Sequence, residues 1–138
     1  MSAGVEAGSR HEGATLPGVW LVTLPFSTPL SLNDRMHHMA RARLNVQWKA
    51  ATVQALQEAG VPKMELCSLT MFYVPRYRRR HDEDNLVASM KPIADGVVAA
   101  GIVPDDTREF MHRNWPIFCN PDSKRTEGRI LVQLEQLR

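Results

Sequence analysis

Short apolar runs, punctuated by Pro and Gly, divide the chain into alternating strand-like and helix-like stretches. Val19-Trp20-Leu21-Val22-Thr23-Leu24 reads as a strand closed by Pro25, and residues 29–35 as a Pro/Ser/Asn loop. From 36 to about 59 the spacing turns helical. Met39, Leu44, Trp48, Ala51, Ala55 and Leu56 recur every few residues, and Gly60-Val61-Pro62 supplies the stop. Residues 66–74 read as a second strand, with Leu69, Met71 and Tyr73 alternating against Ser68, Thr70 and Phe72 until Pro75. A second helix is predicted over 83–100, with Gly101 as its C-terminal signal. Residues 115–119 and 129–135 read as a hairpin around a long polar loop. The order β-α-β-α-β-β predicts an α+β fold, a mixed β-sheet packed with two helices.

The second helix has two chemically different faces. With Asp84 set at 0°, Lys91 falls at about −20° and Asp95 at about +20°, at 100° per residue. Leu86, Met90, Ile93 and Val97 fall between about 180° and 240° on the same scale. One face is Asp, Lys, Asp, and the opposite face is a core stripe that keeps its period across Pro92. A proline costs one i→i−4 bond but leaves that stripe aligned, so a single bent helix is expected. Lys91 and Asp95 also fit an ordinary surface pair at i,i+4.

Composition sets bounds. The 138 residues, 43% of them hydrophobic, suit one domain. Residues 1–17 are rich in Gly, Ala, Ser and Glu without an apolar core, so a disordered lead is expected before a domain at 18–138. No apolar run reaches membrane-spanning length. Cys67 and Cys119 stand alone in apolar surroundings and read as reduced, buried residues, which suggests a cytoplasmic protein. The net charge of +2 says less than its distribution.

That distribution is uneven. Arg78-Arg79-Arg80 runs directly into His81-Asp82-Glu83-Asp84-Asn85, and Pro104-Asp105-Asp106 follows the second helix. In an extended segment Asp82 and Asp84 point the same way and Glu83 the other. If Asp106 is brought close, three carboxylates share a small volume, and two unit charges about 4 Å apart repel by roughly 4 kcal/mol at an effective dielectric of about 20. Such a cluster must raise its pKa values or take up a cation, and hard oxygen donors suit Mg²⁺ or Mn²⁺. Asp105-Asp106 equally fits a turn cap. There is no HExxH, no CxxC pair and no Gly-rich phosphate loop, so zinc chemistry and a nucleotide cofactor lack support. Arg35, His37, His38, Arg41, Arg43 and Lys49 cluster around the start of the first helix, and Lys124-Arg125 sit in the late loop. Singly each fits a solvated face better than a specific contact; as a set they favour a DNA-facing surface.

Together, Asp82-Glu83-Asp84-Asn85-Leu86, Lys91, Asp95-Gly96 and Gly101-Ile102-Val103-Pro104-Asp105-Asp106 resemble the signature of the RusA family of Holliday junction resolvases. In that signature a D-x-D-N opens a helix that carries a lysine and, four residues on, an aspartate. A turn and a D-D pair follow. The basic run 76–80 and the Pro29-Leu30-Ser31-Leu32-Asn33 loop fit as well. This chain departs by nearly one extra helical turn between Asp84 and Lys91. The resemblance implies a homodimeric, Mg²⁺-dependent crossover junction endodeoxyribonuclease, with Mn²⁺ able to substitute, that nicks two strands of a four-way DNA junction symmetrically in recombination and repair. It implies Asp82, Asp84 and Asp106 as catalytic metal ligands, Asp105 assisting, and Lys91 as the group that stabilises charge on the phosphate. Arg76, Arg78, Arg79, Arg80, Arg35, Lys124 and Arg125 are the expected DNA contacts, and the expected place of action is the nucleoid. Two other readings fit the same residues: a metal-dependent nuclease of flaps or forks, and a DNA-binding module without catalysis. Trp115, beside Pro116, suits a two-fold interface.

Overall fold

The structure, a computed structural model, describes residues 13–30, 38–77, 83–122, 124 and 127–138; of 13–15 and 83–85 the backbone alone is described. The elements run β1 (Gly13–Leu16), β2 (Val19–Leu24), α1 (His38–Glu58), β3 (Cys67–Val74), α2 (Glu83–Ala99), β4 (Met111–Arg113), β5 (Ile117–Phe118) and β6 (Arg129–Gln136). The architecture is α+β, a mixed sheet with two helices, as the apolar spacing predicts. The strand order is β1-β2-β6-β3-β4, with β5 also on β3. β6 runs antiparallel to both β2 and β3, whereas β4 and β5 lie in succession along the other edge of β3, parallel to it.

Two expectations are corrected here. Residues 115–119 and 129–135 do not form a hairpin. β5 and β6 lie on opposite edges of β3, pairing Phe72 with Ile117 on one side and with Leu131 on the other. The physical reason is that β6 carries a continuous apolar run: Ile130, Leu131 and Val132, with Leu134 beyond them, are all buried, which suits a central strand better than an edge. The lead also carries a strand at its end, because Gly13–Leu16 pairs antiparallel with β2 around a turn at Gly18, whose φ is 79°. Residues 1–12 lie outside the described residues.

The predicted core stripe of α2 is observed: Leu86, Ile93 and Val97 are fully buried and Met90 nearly so. The helix continues through Pro92. α1 buries Trp48, Thr52 and Leu56 and packs against α2 and β2. The Trp48 ring stacks on Phe26, centroids 4.1 Å apart, which places it in the core. Met39, expected on the apolar stripe, is instead 54% exposed. The helices approach most closely at Gly96, where an added Cβ would lie 2.7 Å from the Thr52 Cβ. A buried hydrogen bond of 2.8 Å from the Leu30 amide to Ser89 Oγ ties the loop after β2 to α2. Both helices end in Schellman caps. At Gly101 (φ 81°) the Gly101 amide donates to Val98 O and the Ile102 amide to Val97 O, and Gly60 repeats the pattern with Gln57 and Leu56. Cys67 is buried, which pushes its thiol up to about 11, while Cys119 is half-buried; neither forms a disulfide. No helix among the described residues is long and apolar enough to cross a membrane.

Candidate active site

The cap at Gly101 positions the site. It reverses the chain at the end of α2, and Met64 N donates to Ile102 O at 2.7 Å, fixing the turn against the strand entry. Ile102 and Val103 are buried, so Pro104, Asp105 and Asp106 emerge directly over the polar face of α2. Lys91 reaches across from that face, its Nζ lying 2.9 Å from Asp106 Oδ2 and 3.1 Å from Asp95 Oδ1. Lys91 therefore makes the predicted i,i+4 pair and also a contact between the two ends of the motif.

Asp106 is the more enclosed partner, its side chain 18% exposed against 62% for Lys91. The hydrogen bond from Lys91 holds the Asp106 carboxyl below the ordinary carboxylate range, opposed by partial burial and assisted by the charges of Lys91 and Arg113. Reciprocally, the hydrogen bonds to Asp106 and Asp95 raise the Lys91 ammonium above its ordinary value. Asp105 acts locally: its Oδ1 accepts a 2.8 Å hydrogen bond from the Asp106 amide. The bond reaches only the next residue, one short of the two-residue span of a turn cap, and it steadies the backbone from which the Asp106 carboxylate projects.

The other expected site residues fall into two groups. Asp82, Arg35, Arg78, Arg79, Arg80 and Arg125 lie outside the described residues. The backbone of Asp84 is in the first turn of α2, on the face of Lys91 but seven residues before it, or about 10 Å along the axis. Arg76 is exposed, with its guanidinium 4.8 Å from the Tyr77 ring centroid. Lys124 is exposed in a turn where its amide donates to Asp122 Oδ1 at 3.0 Å. Neither lines the cleft at Asp106.

That cleft was not foreseen. It measures about 650 Å³ and is lined by Asp106, Thr107, Arg108, Met111, His112 and Arg113. Beside it, Asn114 stitches the end of β4 to β3, its Nδ2 donating at 2.8 Å to both Ser68 Oγ and Thr70 Oγ1. The signal available in the sequence was the set of cations at 108, 112 and 113 just after the acidic pair. Only the turn and strand geometry places them on one cleft.

No protein-family model matches the chain, and no curated protein matches its sequence. Among the described residues no three His, Cys, Asp or Glu side chains converge to hold a metal ion. The donor chemistry at Asp105 and Asp106 is hard carboxylate oxygen, which fits Mg²⁺ or Mn²⁺ and does not suit a soft metal. Lys91 occupies one oxygen of Asp106.

Proposed function

We propose that the chain is a Mg²⁺-dependent, structure-selective DNA endonuclease of the RusA type, acting on four-way junctions by paired symmetric nicks in recombination and repair. The observation that carries this reading is the Lys91–Asp106 contact of 2.9 Å. It joins a cation on the polar face of α2 to the acid beyond the cap, which a mere surface pair within the helix would not do.

Asp82, Asp84 and Asp106 would hold the ion, with Asp105 beside them and Mn²⁺ able to replace Mg²⁺. Bound there, it supplies Lewis acidity at the phosphodiester and a water of lowered pKa. Lys91 holds positive charge against Asp106 in the resting protein and offers it to the phosphoryl oxygens as their negative charge grows. That interaction is stronger in the transition state than in the ground state. Asp95 orients the ammonium from one turn further along the helix. Arg76, with Arg78, Arg79, Arg80, Arg35, Lys124 and Arg125, grips backbone phosphates, releasing counterions and positioning the DNA without reading its sequence. Selection then rests on the angles between arms, which a homodimer with two related sites matches by its own two-fold symmetry. Exposed Trp115 suits that interface. The setting is the cytoplasmic nucleoid.

The test compares wild type and Asp106→Asn on labelled four-way junctions, flaps and forks. The expected result is Mg²⁺-dependent nicking by wild type, preferentially on junctions. Asp106→Asn loses it by two or more orders of magnitude yet still binds junctions in Ca²⁺. Nicking by the variant at the wild-type rate would remove Asp106 from the site, and preference for flaps would replace the junction reading.

A further inference from the structure

The cleft beside Asp106 contains cations that the acidic cluster does not use. We infer that Arg108, His112 and Arg113 form a second phosphate grip, which holds a backbone phosphate of the bound nucleic acid next to the phosphate at Lys91. This rests on the nuclease reading and adds to it a contact surface that Arg76 does not line.

Local structure makes the cleft a preorganised surface. Thr107 O accepts hydrogen bonds of 2.9 Å from both Phe110 N and Met111 N, so residues 107–111 form a tight turn that leads straight into β4. Met111 is 1% exposed and pairs with Cys67, anchoring that turn to the central sheet. His112 and Arg113 follow on the strand itself, paired with Ser68 and Leu69, and both side chains are exposed. Groups mounted on a strand are held more exactly than groups on a loop, which is what phosphate positioning requires.

Charge points the same way. The cleft holds two arginines and one histidine against one carboxylate. That carboxylate is already matched by Lys91 at 2.9 Å. Among the described residues Arg108 and Arg113 make no ion pair within 4 Å, although Arg113 is close enough for its charge to act on Asp106. Glu109 and Asp105 are exposed nearby but do not line the cleft. Uncompensated guanidinium forks suit phosphate oxygens, and the Thr107 side chain adds a hydroxyl. At about 650 Å³ the cleft is far larger than one free phosphate and is open to solvent.

The experiment measures junction binding in EDTA across a salt series for wild type, Arg108→Gln/Arg113→Gln and the control Lys63→Gln/Arg138→Gln. The control residues lie on a different groove. Each phosphate contact contributes roughly 0.9 to the slope of log K against log salt. The cleft variant should therefore lose about 0.9 units of slope, and the control none. Arg113→Lys, which keeps the charge, should lose less than Arg113→Gln, separating a charge effect from a folding defect. An unchanged slope in the cleft variant, with wild type still binding, overturns the grip and leaves the nuclease reading standing. Failure of wild type to bind any nucleic acid overturns both. A site for free phosphate alone would show inorganic phosphate bound to wild type together with junction DNA, without displacing it. That outcome would also overturn the backbone grip.

Discussion

Lys91 holds a single positive charge between two carboxylates, and the two sides of that arrangement differ in solvent exposure. The pair with Asp95 is a helix-surface pair of a few tenths of a kcal/mol. The pair with Asp106 places the charge on the less exposed acid and so controls that acid's protonation. The signs follow directly. Asp106 has a lowered pKa, so its contribution to stability is present above the ordinary aspartate range and is lost as pH falls through the lowered value. Lys91 has a raised pKa, so its contribution is present below the ordinary lysine value and is lost only as pH rises through the raised one. From about pH 5 to about pH 9 the contact is fully charged. In metal-free protein, the ¹³C carboxyl signal of Asp106 is expected to titrate below that of a free aspartate and to move back up in Lys91→Met. A signal that does not respond to Lys91→Met would mean that the contact is not maintained in solution. Of this site, the Lys91–Asp95 pair was legible from helical spacing alone. The Lys91–Asp106 contact was not, because it depends on how the cap at Gly101 turns the chain. Arg108 and Arg113 were illegible for a related reason: nothing in their spacing distinguishes them from ordinary solvated cations.

Helix α2 must do two things at once, displaying Lys91 on one side while seating against α1 on the other. Gly96 makes the second possible. Its missing side chain admits Thr52, whose Cβ and Cγ2 would lie 2.7 and 2.8 Å from an added Cβ, with the Lys49 carbonyl at 3.1 Å. Helix propensity alone favours Gly96→Ala by about 1 kcal/mol. Forced separation of packed helices costs typically about 1–3 kcal/mol, so the net expectation is destabilisation of up to about 2 kcal/mol. Gly96→Ala/Thr52→Ser should recover part of that loss. It removes the crowding methyl and retains the hydroxyl, which donates to Trp48 O at 2.7 Å. Thermal unfolding of the two variants checks this, and a Gly96→Ala protein more stable than wild type would show that the helices part without cost. The residue next to the helix-face aspartate is thus structural, although in the sequence Asp95-Gly96 reads as one motif. The elements themselves were largely legible, since α1, α2, β2 and β3 lie within a few residues of where apolar spacing puts them. Met39 was misjudged because a near-helical recurrence of apolar residues does not say which members face the core.

Strand identity is local but strand partnership is not, and at the scale of the molecule that distinction explains the misread hairpin. The last strand of the chain inserts between the second and third, so β6 joins residues separated by more than a hundred positions, as in Val19 with Glu135. Period-2 spacing carries no record of such a pairing; the better clue was composition, because Ile130-Leu131-Val132 is too continuously apolar for the edge of a two-stranded ribbon. The consequence is testable. Leu134 is fully buried and paired across the sheet with Trp20 on one side and Leu69 on the other. Leu134→Ala opens a cavity where neither neighbour can move in without breaking register, so the expected cost is about 2–5 kcal/mol. For a chain of this size that lowers the melting temperature by roughly 6–15 °C. Ile117 lies on β5 at the sheet edge and is 44% exposed, so Ile117→Ala should cost under about 1 kcal/mol. Denaturant unfolding of both variants separates a central β6 from a peripheral one. If Ile117→Ala proved as costly as Leu134→Ala, the weight of the fold would lie at the β5 edge, and the sheet that anchors Met111 and the cleft beside Asp106 would need a different strand order.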